Sequence, residues 1–200
     1  MRLLLEVIDA VHASVGSSFV LALKLNSTDQ LQGGFEQEDA LKVISALDKR
    51  GVDLIDISGG TYFPGATAAS DSSGGGPYFL DFMARARQRT DTPLMLTGGF
   101  KTHEQVRAAI SSGCIDVVGL ARALALAPAL VNEWRSGNTD NPEFPQFSQP
   151  PAGGITAWYT MRLAHLGEDR ETSDTLELCA ALQQYNDRDN ERVMVWNRHF

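Results

Sequence analysis

The sequence predicts an α/β fold in which one helix is followed by four strand–helix units around a parallel sheet. Three observations carry the prediction. Short runs apolar on both faces alternate with amphipathic stretches, most connections are brief, and glycine stands at three of the four strand ends.

The first element is an amphipathic helix, with Leu4, Val7, Ile8, Val11 and Val15 at helical spacing. Met1 to Leu5 is apolar, but Glu6 and Asp9 interrupt the run and no small-residue cleavage site follows, so it does not read as a signal peptide. After a turn at Gly16, residues 19–25 form the first strand, apolar on both faces as a strand covered by helices must be. A loop over 26–34 leads to a helix over 36–50, whose Ala40, Leu41, Ile44 and Leu47 share a face. Gly51 follows it where a left-handed cap is expected. Residues 52–58 are the second strand. A long loop rich in Gly, Ser and Ala covers 59–76, and Pro77 opens a helix to about Arg89, with Phe79, Leu80 and Met83 on its inner side. Residues 93–97 make the third strand, ending at Gly98-Gly99. Thr102, with Gln105 three residues on, forms a capping box for a short helix that Gly113 terminates. Residues 115–119 are the fourth strand, and Ala121 begins the helix after it. From 137 to 154 the composition shifts to Pro, Asn, Gln and Gly, and 176–196 reads as a closing helix. Residues 1–136 therefore hold the strand–helix units, and 137–200 are a linker and helical extension of the same domain.

Bulk properties narrow the function. Two hundred residues suffice for one core, and 43% hydrophobic with 21% charged residues is ordinary for a globular protein. A net charge of −8 argues against a duplex nucleic-acid binder, which normally carries a basic patch or stripe. The nearest approach to one, Arg85, Arg87 and Arg89, reads as the solvated end of a helix. Cys114 and Cys179 are too few and too far apart for a disulfide framework or a metal cluster and read as reduced thiols. No run approaches the ~18 apolar residues that a bilayer span needs. No metal and no membrane partner are expected, and the expected location is the cytoplasm.

In parallel β/α folds ligands bind beyond the carboxyl ends of the strands. The residues to weigh are therefore Lys24 with Asn26, Ser58-Gly59-Gly60, Thr97-Gly98-Gly99, and Gly119 through Arg122. Glycine lets backbone N–H groups approach an anion closely, and a helix start favours a phosphate. Turn chemistry alone also explains such glycines. Lys24, near the end of an apolar strand, either snorkels past the sheet end or faces an anionic ligand.

Together these segments resemble the Old Yellow Enzyme-like NADH:flavin oxidoreductases. The likeness rests on Leu23-Lys24-Leu25-Asn26-Ser27, on 51–60 (GVDLIDISGG), on Leu96-Thr97-Gly98-Gly99-Phe100 and on 116–124 (DVVGLARAL). It covers roughly residues 1–135, and more weakly the tail around Gly153-Gly154. It implies the C-terminal half of a (β/α)8 TIM barrel, from the fifth strand to the eighth, with FMN as cofactor and NAD(P)H as reductant. It places Lys24 against the flavin N1–O2 edge, where a fixed cation stabilises negative charge developing on the ring. It makes Gly98 and Gly99 phosphate-binding amides and Ala121 and Arg122 a second phosphate loop. The family usually has glycine at the position of Ala121, whose methyl would crowd a backbone with φ > 0.

The resemblance also implies what is missing. The family's His–His or His–Asn substrate pair and its proton-donating tyrosine come from the first half of the barrel, and nothing here matches them. His12, His103, His165 and His199 read as solvent-exposed, and Tyr62 as a packing residue of the long loop. No catalytic residue is assigned. Half a barrel leaves two edge strands and an open interior, so the expected partners are a small-molecule electron acceptor and either the missing half-barrel or a second copy. Two other readings stay open: a phosphate-binding half-barrel of a sugar-phosphate isomerase or lyase, and a non-catalytic truncated remnant.

Overall fold

Alternating apolar residues build four short strands, β1 (Ala22–Asn26), β2 (Leu54–Ser58), β3 (Leu94–Thr97) and β4 (Val117–Gly119), in a computed structural model that describes residues 1–16, 18–59, 76–170 and 176–200. All neighbouring pairs are parallel and the order is β1-β2-β3-β4. That order is informative: a doubly wound sheet starts in its middle and reverses, whereas barrel strands follow one another in sequence.

Between the strands run α2 (Gln37–Leu47), α3 (Leu80–Arg87) and α4 (His103–Ser111), and α1 (Arg2–Ser14) precedes them. Their apolar stripes meet one face of the sheet. Ile55, Ile57, Leu94 and Leu96 are fully buried there with Leu41, Ile44 and Leu47 of α2, Phe82, Met83 and Ala86 of α3, and Ala109 of α4. The strand residues between them point the other way. On that second face Lys24, Ala22 and Val117 are exposed, and Leu54, Asp56 and Met95 are half-buried. Among the described residues of the first unit, helices thus cover one face of the sheet rather than both, as strands apolar on both faces had led one to expect, and none covers the other, partly polar face.

Several boundaries move inward for identifiable reasons. β1 begins at Ala22 rather than Phe19 because its register with β2 starts at the pair Ala22 and Leu54, which leaves Phe19 and Val20 exposed. α3 begins at Leu80, since Tyr78 and Phe79 form a turn that turns both rings toward the core. The capping box of α4 is complete: the Thr102 hydroxyl accepts from the Gln105 amide, and the Gln105 side chain accepts from Thr102 N at 3.2 Å. Gly51 and Gly113 adopt positive φ at the helix ends. The long loop expected over 59–76, and Tyr62 within it, lie outside the described residues apart from its two ends.

Two charge readings are corrected. Arg85 and Arg87 are not a freely solvated helix end. Arg85 pairs with Glu38 and donates to Gln37, while Arg87 Nη2 lies 2.8 Å from Asp116 and 3.1 Å from Thr92 O. Asp116 also accepts from Leu94 N at 2.8 Å, so this pair ties the entries of β3 and β4 together. His12 is half-buried rather than exposed, its Nε2 3.0 Å from Arg50 O, and Arg50 in turn donates to Asp9 at 2.7 Å. These contacts fix α1 to the end of α2. His103 and His165 are half-buried as well; only His199 of the four is exposed.

The chain divides into two compact units, 1–121 and 122–200. The division falls inside α5 (Ala121–Leu126), whose Ala125 and Leu126 join the core of the second unit. That unit continues with α6 (Leu130–Ser136), α7 (Gly154–Gly167) and α8 (Leu178–His199). Trp158, Tyr159 and Met161 of α7 pack with Ala181 of α8. Helix α7 is absent from the sequence reading. Its neighbours Trp158 and Tyr159 are both buried, so it carries no single apolar stripe of helical period. No helix among the described residues is long and apolar enough to cross a membrane.

Candidate functional site at the carboxyl edge of the sheet

Because all four strands are parallel, their carboxyl ends share one edge of the first unit. Lys24, the Gly98-Gly99 pair and Ala121 all belong to that edge or to the residues beside it. Lys24 stands on the open face, opposite Asp56 in register, and its side chain is 60% exposed. Its Nζ donates to Asp56 Oδ2 at 3.0 Å. The other oxygen of Asp56 accepts from Thr97 Oγ1 at 2.8 Å. Sequence reasoning missed Asp56 and weighed Thr97 only as a strand-tip residue. Alternation gives the two faces of each strand, but which residues of neighbouring strands meet depends on the register.

The glycines of the edge are bare for different reasons. Gly98 and Gly99 have φ of +121° and +83°. A Cβ on Gly99 would stand 2.1 Å from Gly76 O, so the crossing of 76–77 over this turn already requires glycine there. A Cβ on Gly98 would only touch the Tyr78 ring at 3.4 Å, so its glycine answers to backbone conformation. Gly119 faces Thr97, and a Cβ there would lie 2.2 Å from Thr97 Oγ1. A Cβ on Gly59 would stand 2.6 Å from the Phe79 ring. Asn26 accepts from Ser58 Oγ at 3.3 Å, and Ser27 N extends the ladder to Ser58 O at 2.7 Å. The Ser27 and Tyr78 hydroxyls are buried and have no hydrogen-bond partner among the described residues.

Ala121 has no positive φ and starts α5, so its methyl meets no backbone penalty. Arg122 is the first residue of the second unit, where its guanidinium lies 5.8 Å from the centroid of the Tyr159 ring. Burial raises the Tyr159 phenol above its ordinary pKa, and the charge of Arg122 opposes that shift. The described residues contain no group of His, Cys, Asp and Glu able to hold a metal ion.

An all-parallel sheet wound in sequence, helices on one face and polar groups gathered on the other, defines four units of a (β/α) barrel. Comparison with known proteins makes this specific. The model of the NADH:flavin oxidoreductase / NADH oxidase family matches residues 1–141, and the chain belongs to that family. It is 35% identical over 141 residues to the NADH-dependent flavin oxidoreductase iliE of Neonectria sp. (strain DH2), covering 64% of this chain and 18% of that protein. It is 35% identical over 140 residues to the NADH-dependent flavin oxidoreductase iliE of Hypocrea jecorina (strain QM6a), covering 64% of this chain and 34% of that protein. The chain thus spans about a third or less of these relatives. Among solved structures, morphinone reductase in complex with tetrahydroNAD matches at TM-score 0.52 and 24% identity, over 72% of this chain and 36% of that one. The old yellow enzyme homologue from Zymomonas mobilis matches at TM-score 0.53 and 20% identity, over 76% and 41%. The fold is that of the C-terminal half of an Old Yellow Enzyme-like (β/α)8 barrel.

Proposed function

We propose that the chain is the FMN-binding portion of an NAD(P)H-dependent flavin oxidoreductase of the ene-reductase kind, and that it turns over only with a complementary half-barrel. The observation that carries the reading is the open sheet face, where the Lys24 ammonium stands on the same carboxyl edge as the left-handed Gly98-Gly99 turn. The donor set fits an anionic, planar cofactor: a cation for the electron-rich edge of the ring and a glycine turn for a phosphate. Lys24 holds the ring edge, Gly98 and Gly99 the phosphate, and Ala121 and Arg122 form the second phosphate loop by the family motif. FMN, when bound, would supply hydride transfer from NAD(P)H to an electron-poor small molecule. This chain contributes binding and charge, and no residue of it is assigned the proton transfer.

The same geometry supports the reading that the chain works with a complement. β1 and β4 are edge strands, and no described helix of the first unit covers the face that carries Lys24. The missing half-barrel is the occupant proposed for it, with a second copy as the competing outcome. Titrating the chain with FMN and following flavin fluorescence tests the cofactor reading. Saturable quenching is expected, weakened in Lys24→Ala, without NADH oxidation. An absence of FMN binding, or affinity unchanged in Lys24→Ala, overturns it. A sugar phosphate bound in place of FMN would favour the isomerase or lyase alternative, and aggregation without any ligand the remnant.

A further inference from the structure

The open face carries a charge arrangement that a flavin-facing lysine does not by itself require. Asp56 lies on β2, between β1 and β3, and its carboxylate is tied from both sides, by Lys24 Nζ at 3.0 Å and by Thr97 Oγ1 at 2.8 Å. Only 18% of the Asp56 side chain is exposed, against 60% for Lys24. The third member is held in place by a missing side chain. Any Cβ at position 119, opposite Thr97 in register, would fall 2.2 Å from Thr97 Oγ1. Gly119 therefore leaves the space in which Thr97 can donate to Asp56.

Stability does not account for this network. A pair with one partner this exposed contributes ~0–1 kcal/mol. What the network does is electrostatic. A free lysine samples many rotamers, and its charge spreads with them. Hydrogen bonded to a carboxylate that is itself held by Thr97, the ammonium favours the position beside Asp56, and its charge is partly compensated.

We infer that Asp56 is the positioning residue for Lys24, acting as its anchor and counter-charge and thereby setting how strongly this face favours the reduced over the oxidised form of a bound flavin. The inference rests on the flavin reading above. Asp56 acts only through Lys24, and Thr97 only through Asp56.

The test uses the full chain with free FMN, oxidised or reduced by dithionite under anaerobic conditions, and measures the two dissociation constants. Asp56→Asn removes the counter-charge, so the ratio of oxidised to reduced dissociation constants rises by about tenfold, the scale of one nearby charge at the effective dielectric of a protein surface. The same substitution in a Lys24→Met background leaves the ratio unchanged. Asp56→Glu, which keeps the charge, stays close to wild type, and Thr97→Val shifts the ratio in the same direction as Asp56→Asn by less. A ratio unmoved by Asp56→Asn, or moved equally with and without Lys24, overturns the inference, the second result assigning Asp56 a structural role only. A flavin-independent arm separates this failure from failure of the flavin reading. The chain has four lysines, and in 15N-lysine spectra one ammonium, identified by its loss in Lys24→Met, is protected from exchange and loses that protection in Asp56→Asn. If the wild type shows this protection but binds no FMN, the flavin reading fails, and with it the role toward flavin, while the anchoring stands. If Lys24 is unprotected in the wild type, the anchoring itself is overturned.

Discussion

At the scale of single residues, the sharpest constraints come from atoms that are not there. Gly119 has an ordinary backbone, yet Thr97 Oγ1 and Met95 Cε occupy the space of its Cβ at 2.2 and 2.9 Å. Gly119→Ala is therefore expected to destabilise the chain by about 1–3 kcal/mol through overpacking, measured by urea denaturation against wild type; an unchanged midpoint would show that the two side chains shift freely. A second prediction concerns pH. The Asp48 carboxyl accepts from Thr90 Oγ1 at 2.6 Å and from Asp91 N at 3.0 Å, and these bonds hold its pKa below the usual carboxylate value. A depressed folded-state pKa stabilises the fold above the unfolded value, and that contribution is lost as pH falls through the folded one. Wild type should accordingly exceed Asp48→Asn in stability near neutrality, with the difference shrinking on acidification. A difference constant from neutral to acid pH would mean that Asp48 acts through its shape and not its charge.

At the scale of elements, caps and apolar stripes decide where helices stand. Helix α4 has a complete capping box at Thr102 and Gln105 and only one buried residue, Ala109, so its start depends on the cap more than on the core. Thr102→Ala is expected to cost about 1 kcal/mol, read as a lowered denaturation midpoint with an unchanged slope. Strand β3 shows the opposite balance. Leu96 is fully buried among α2 and α3 residues, and Leu96→Ala should cost about 2–5 kcal/mol. If the two substitutions proved equally mild, the sheet and helices would not be packed as one core.

At the scale of the whole molecule, the sheet has a partly polar face that no described helix of the first unit covers and two edge strands, which full barrels remove by closure. Mixing the chain with the first four strand–helix units of a related flavin oxidoreductase, in the presence of FMN, should give NADH oxidation that neither part shows alone. If NADH oxidation requires only a second copy of this chain, its rate will instead rise with the square of the chain concentration and be independent of the added half. No oxidation in either case would set aside the complementation reading.

The sequence by itself determined the alternation of strands and helices, the capping box at Thr102, the glycine ends of α2 and α4, and the candidate edge residues Lys24, Gly98 and Gly99. These depend on local periodicity and on backbone conformations that neighbouring residues fix. It also placed the chain in its family through four ordered motifs. Only the tertiary structure decided which face of β1 is open, that Asp56 and Thr97 stand beside Lys24, that Gly99 makes room for 76–77, and that α7 is a helix. Those facts depend on residues brought together across strands or on a core that buries a helix on more than one side, and no local pattern encodes either.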